Sequence, residues 1–170
     1  KNININFEDK DGVAAIVNKE NEEMSKSLVY DETNEEANYN HLISAKFAKY
    51  EIIHYVDYIT LVVNKYSFDY KTIITTLGSD VYVFDKTTGK LYNNDELLSK
   101  FSINKDDINE KVKAYLNDKN LVSEENKIDV EKTISNNTKY NLYVDKLGRL
   151  VISILLKAEK SDYNDIIVLS

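Results

Sequence analysis

Residues 61–98 read LVVNKYSFDYKTIITTLGSDVYVFDKTTGKLYNNDELL, and the local structural signals are densest there. A β-type run over Ile59–Tyr66 is followed by a second over Lys71–Leu77 and a third over Ser79–Asp85. The intervals between these runs are too short for helical crossovers, so the strands are expected to pair antiparallel. Lys86, Thr87, Thr88 and Gly89 supply turn chemistry, with glycine at the position suited to positive φ. Asn94 is placed to cap a short helix over Asp95–Lys100 that buries Leu97, Leu98 and Phe101.

Upstream, Asn2–Glu8 alternates Ile3, Ile5 and Phe7 with asparagines, the period-2 pattern of a half-buried strand. Between Val13 and Tyr30 the apolar positions Val13, Ile16, Val17, Met24 and Leu28 shift to a helical stripe. Asp31–Asn40 is acidic and lacks any apolar period, so it reads as a loop. Leu42–Tyr58 is dense in Phe, Tyr and Ile and reads as one long strand or two short ones, with His54 as a packed strand residue.

Downstream, Ile103–Asn117 forms the clearest helix. Asn104 is its expected N-cap, Asp106 and Asp107 suit the positive end of the dipole, and Ile108, Val112, Tyr115 and Leu116 make one stripe. A short helix capped by Asp129 is expected over Asp129–Ser135, then a hairpin over Tyr140–Leu156 whose second strand is central. Asp165–Leu169 closes the chain as a strand. The sum is an α+β fold, a mostly antiparallel sheet packed against two or three helices, in one domain over residues 1–170.

Composition excludes several functional classes. Cysteine is absent, which rules out disulfides, a thiolate metal site and a cysteine nucleophile. The net charge of −7 opposes binding to a phosphate backbone, so no nucleic-acid partner is expected, and it steers basic partners toward the chain. Four scattered glycines, Gly12, Gly78, Gly89 and Gly148, cannot build a phosphate cradle, and no nucleophile elbow or zinc helix is present. Asp31, Glu32, Glu35 and Glu36 lack the ligand spacing of a calcium loop. Asp57, Asp69, Asp80 and Asp85 fall at strand ends or turns, where capping is the ordinary role. No catalytic residue, metal ligand or cofactor is assigned. Tyrosine, at 13 copies, outnumbers phenylalanine at 5, which suits strand faces that meet water. No stretch approaches the ~20 apolar residues of a membrane span. The start at Lys1, without an apolar leader, suggests a trimmed or mature fragment.

The order of these elements, and above all Phe84, Asp85, Thr88, Gly89, Lys90, Asp95, Glu96 and Leu97, resembles the extracellular sensor domain of lysozyme-responsive anti-sigma-V factors. It resembles as well the related domain beside some envelope polysaccharide deacetylases. The resemblance implies a non-enzymatic, membrane-tethered receptor of a Gram-positive bacterium. Its ectodomain would bind an extracellular protein such as lysozyme and so control proteolysis that frees a sigma factor, which is held by a cytoplasmic segment outside this chain. The alternative is a non-catalytic module that binds peptidoglycan. The family carries a glycine- and histidine-containing turn before the VYVFD strand, whereas this chain has DYKTIITTLGSD. Ligand-binding residues are accordingly placed on the segment that departs, at Tyr66, Phe68, Tyr70 and Lys71.

Overall fold

The computed structural model describes residues 12–31, 41–71, 73–122, 125–137 and 139–170. The strand expected over Asn2–Glu8 and the acidic segment after Asp31 lie outside them. In chain order the elements are α1 (Val13–Ser25), β1 (Val29–Asp31), β2 (His41–Tyr55), β3 (Tyr58–Asp69), β4 (Ile73–Asp85), β5 (Leu91–Tyr92), α2 (Asn94–Lys100), α3 (Lys105–Val122), α4 (Val130–Asn136), β6 (Asn141–Val144), β7 (Leu150–Leu156) and β8 (Tyr163–Val168). The α+β class with antiparallel pairing is as the alternation predicts. The strands divide into two sheets, ordered β1-β2-β3-β4-β5 and β6-β7-β8.

Burial along β3 explains the layering. Thr60, Leu61, Val62 and Val63 are all buried, so both faces of the large sheet are covered at this level. Leu61 and Val63 join Phe84 in a small core against Val13 and Val17 of α1. Val62 and Val83 turn the other way into the main core, where the small sheet, α2 and α3 contribute most of the buried side chains and Val130 and Ile134 of α4 pack half-buried against them. The β7 run Leu150–Ile154 is buried throughout, as a strand covered on both faces must be. The order of layers is α1, large sheet, small sheet, helices.

Polar side chains join the two sheets. Thr60 is fully buried and its hydroxyl donates to the Val144 carbonyl at 3.1 Å. Asn141 Nδ2 donates to the Ser79 carbonyl at 2.6 Å, and Asn164 Nδ2 to Ser79 Oγ at 2.8 Å. Buried hydroxyls and amides require such partners, so these bonds fix where the small sheet crosses the large one. It crosses the inner half, up to the level of Asn64 and Ser79. The outer half of β2, β3 and β4 carries half-exposed side chains on the same face, and Ile74 there is 56% exposed.

Several local expectations are corrected. Lys71–Leu77 and Ser79–Asp85 are one strand with a bulge. Lys65 pairs with Gly78 but Tyr66 pairs with Thr76, which leaves Leu77 as the extra residue, and Gly78 has φ 109°. The first helix stops at Ser25 and does not run to Tyr30, because the Ser27 amide and hydroxyl both donate to the Met24 carbonyl and the Lys46 amide donates to Ser27 Oγ. The cap of α2 is Asn93, with Asn94 the first helical residue. The Asn93 side chain accepts from the Glu96 amide, and Glu96 accepts from the Asn93 amide, a complete capping box. The Asn104 and Asp129 caps hold as expected, accepting from Asp106 N at 3.1 Å and Lys132 N at 2.9 Å. His54 stands exposed on β2 and is not packed among aromatics.

Candidate functional site

The four residues expected to bind a ligand lie on the outer part of the β3–β4 hairpin, in two pairs. Tyr66 and Phe68 alternate onto the face shared with Val62, beyond the small sheet, and both are half-buried. Tyr66 stacks on its cross-strand neighbour Phe47, with ring centroids 5.2 Å apart, and the Lys49 ammonium lies 5.6 Å from the Tyr66 centroid. Tyr70 and Lys71 form the tip. Tyr70 is 60% exposed, and the Lys71 ammonium lies 5.4 Å from its ring. The tip is held by Tyr70 N donating to the Ile43 carbonyl at 3.0 Å and Lys71 N donating to Asp69 Oδ1 at 2.9 Å. The surface is an aromatic ridge flanked by two ammonium groups.

Asp80, Asp85 and Glu96 each hold a local structural contact. Asp85 accepts from the amides of Thr87 and Thr88 and from the Tyr92 hydroxyl, at 2.9, 2.8 and 2.7 Å. The Tyr92 hydroxyl bond and the Thr88 amide hold its carboxyl at about 2. Asp80 pairs with Lys65 at 2.6 Å, and Lys90 pairs with Glu96 of the capping box. The segment that carries the family resemblance is thus a strand, an Asp-organised turn and a capped helix. Among the described residues no three His, Cys, Asp or Glu side chains gather as a metal site would require.

A two-lobed cleft lies between α2, α3 and the segment joining α4 to β6. Two lobes of about 510 and 640 Å³ share Asn94, Lys105, Lys139 and Tyr140. Leu98, Ile108, Ile134 and Leu142 supply the apolar lining of the first lobe, and Tyr82 and Tyr92 line the second. Tyr140 is tethered at both ends: its carbonyl accepts from Asn94 Nδ2 at 2.7 Å, and its hydroxyl donates to Asn109 Oδ1. Burial raises the Tyr140 phenol and, aided by Asp80, pushes Tyr82 to about 12, so both remain neutral hydroxyls. Sequence reasoning missed this site. Its only signal is the asparagine and lysine at the starts of successive elements: Asn93–Asn94, Asn104–Lys105, and Asn137 with Lys139 before Tyr140.

No family model, curated protein or solved structure matches the chain. No helix among the described residues is long and apolar enough to cross a membrane.

Proposed function

We propose that the chain is the non-enzymatic ligand-binding ectodomain of a membrane-tethered, anti-sigma-factor-like receptor, anchored through a segment outside these residues. It docks an extracellular protein of the lysozyme type on the outer β3–β4 hairpin. The observation that carries the reading is the hairpin itself, which holds the exposed Tyr70 ring at a tip beyond the packed body of the domain. Exposed aromatic side chains are among those that serve as interface anchors. The −7 charge steers a basic protein toward the domain from a distance, while contact is made by the aromatic ridge. Docking there would control proteolysis of the segment that tethers the domain.

The test is a calorimetric titration of the 170-residue chain with lysozyme, repeated with Tyr70→Ala. The expected outcome is binding that Tyr70→Ala weakens about tenfold or more, with thermal unfolding unchanged. Absence of binding at tens of micromolar removes the lysozyme form of the reading. Retention on peptidoglycan sacculi without lysozyme binding would make the domain a cell-wall-binding module.

A further inference from the structure

We propose that the cleft between α2, α3 and the α4–β6 segment binds a carboxylate-bearing saccharide, with a sugar ring stacked on Tyr140 and the carboxylate met by Lys105 and Lys139. This is a second surface and does not rest on the hairpin reading. Each lobe has the volume of an ordinary small-ligand site, and each combines apolar lining with a few convergent polar groups. The shared residues select the ligand class.

A pyranose offers an apolar C–H face, hydroxyls around its rim and, in an acidic sugar, one carboxylate. Tyr140 matches the first need. Tyr140 lines both lobes, and Asn109 accepts its hydroxyl, so the end of the ring is already fixed before a sugar stacks on it. Side-chain amides match the second, with Asn94 and Asn109 on the wall of the first lobe.

The third need is met by charge. Lys139 is exposed and makes no ion pair among the described residues, and Lys105 has only Asp95, at 3.3 Å with both side chains solvated. No Asp or Glu lines the first lobe. In a chain of net charge −7, two ammonium groups at one cleft against a single lining carboxylate, Asp95 in the second lobe, leave a local excess of positive charge that favours an anion. The tyrosine and amides make the preferred anion a sugar acid and not a bare ion.

The probes are the N-acetylglucosaminyl–N-acetylmuramic acid disaccharide, which carries a carboxylate, and chitobiose, which does not. Each is titrated to about 10 mM into the ¹⁵N-labelled chain, a range that captures weak saccharide affinities. The expected result is amide shifts at Asn94, Asn109, Lys139 and Tyr140, with the acidic disaccharide bound about fivefold or more tightly than chitobiose. Lys139→Gln should remove most of that preference and leave the unfolding temperature in place. Asn109→Asp, another exposed position, should weaken the acidic probe further by opposing its charge. Equal affinity for the two disaccharides, shifts confined to Tyr66–Lys71, or no shifts would overturn the proposal. So would equal displacement by acetate or inorganic phosphate, which would make the cleft a simple anion site. Lysozyme binding by the hairpin is measured separately, so the two readings fail independently.

Discussion

Replacing Gly148 with alanine would drive a methyl carbon into the ring of Tyr55, against Cζ and Cε1. Gly148 closes the β6–β7 turn at φ 77°, and Tyr55 ends β2 with its ring packed partly on the main core. Two costs follow. A side chain in the left-handed region costs about 1 kcal/mol. The ring must also leave its seat, and re-exposing roughly 100 Å² of aromatic surface at about 25 cal/mol per Å² costs about 2.5 kcal/mol. The sum is about 3.5 kcal/mol, reduced to about 2 if the ring recovers part of its contact. Urea unfolding followed by circular dichroism measures it, and the deciding comparison is a double-mutant cycle with Tyr55→Ala. Once the ring is gone, only the backbone term of about 1 kcal/mol should remain, giving a coupling of about 1–2.5 kcal/mol between the sites. A Gly148→Ala penalty that is unchanged in the Tyr55→Ala background would refute the steric reasoning.

Val56, 66% exposed in the β2–β3 turn, has φ 37°, a conformation costly for a β-branched residue, so Val56→Gly should gain about 1 kcal/mol and raise the melting temperature; a loss would show that the side chain has an unrecognised role. Asn93→Ala removes half of the α2 capping box and should cost about 1 kcal/mol in the same urea assay, whereas Asn94→Ala acts on the cleft through Tyr140 and not on the cap. The Asp85 carboxyl is lowered from 3.8 to about 2 in the folded protein, so its contribution to stability is complete above the unfolded value and is lost as pH falls through that window. Asp85→Asn should flatten stability between pH about 4 and about 2, and an unaltered profile would assign the acid sensitivity to other carboxylates.

The class of fold was legible because alternation and helical stripes are local. Ile108, Val112 and Leu116 are buried as their spacing predicts, and Asp129 caps α4. What was illegible depends on distance in the chain. The division into two sheets rests on Thr60, Asn141 and Asn164 finding partners across the interface, and an isolated hydroxyl or amide does not reveal its acceptor. In the sequence Gly78 splits two runs, because a glycine at a bulge and a glycine at a turn look alike until the partner strand is known. For Asn93 and Asn94, the deciding feature was local: Glu96 stands three residues after Asn93, the spacing of a capping box. At the hairpin, the exposed tip of Tyr70 and Lys71 follows from its turn position, but the stacking of Tyr66 on Phe47 needs the register. The cleft was invisible for the same reason as the sheet division, since the Asn94–Tyr140 bond joins residues 46 apart.

The bulge at Leu77 has a consequence for how this protein can change over time. Inside it, Ser79, Val81 and Val83 face the small sheet; outside it, Thr76 and Ile74 take that side, so the parity of β4 is reset at one residue. Strand pairs added to or removed from the hairpin beyond Lys65 alter its reach in steps of about 3.4 Å without moving any inner residue to the wrong face. A single-residue insertion has a place to be absorbed. The outer hairpin is therefore a region where length and side chains can be exchanged against new binding demands while the packed body keeps its register.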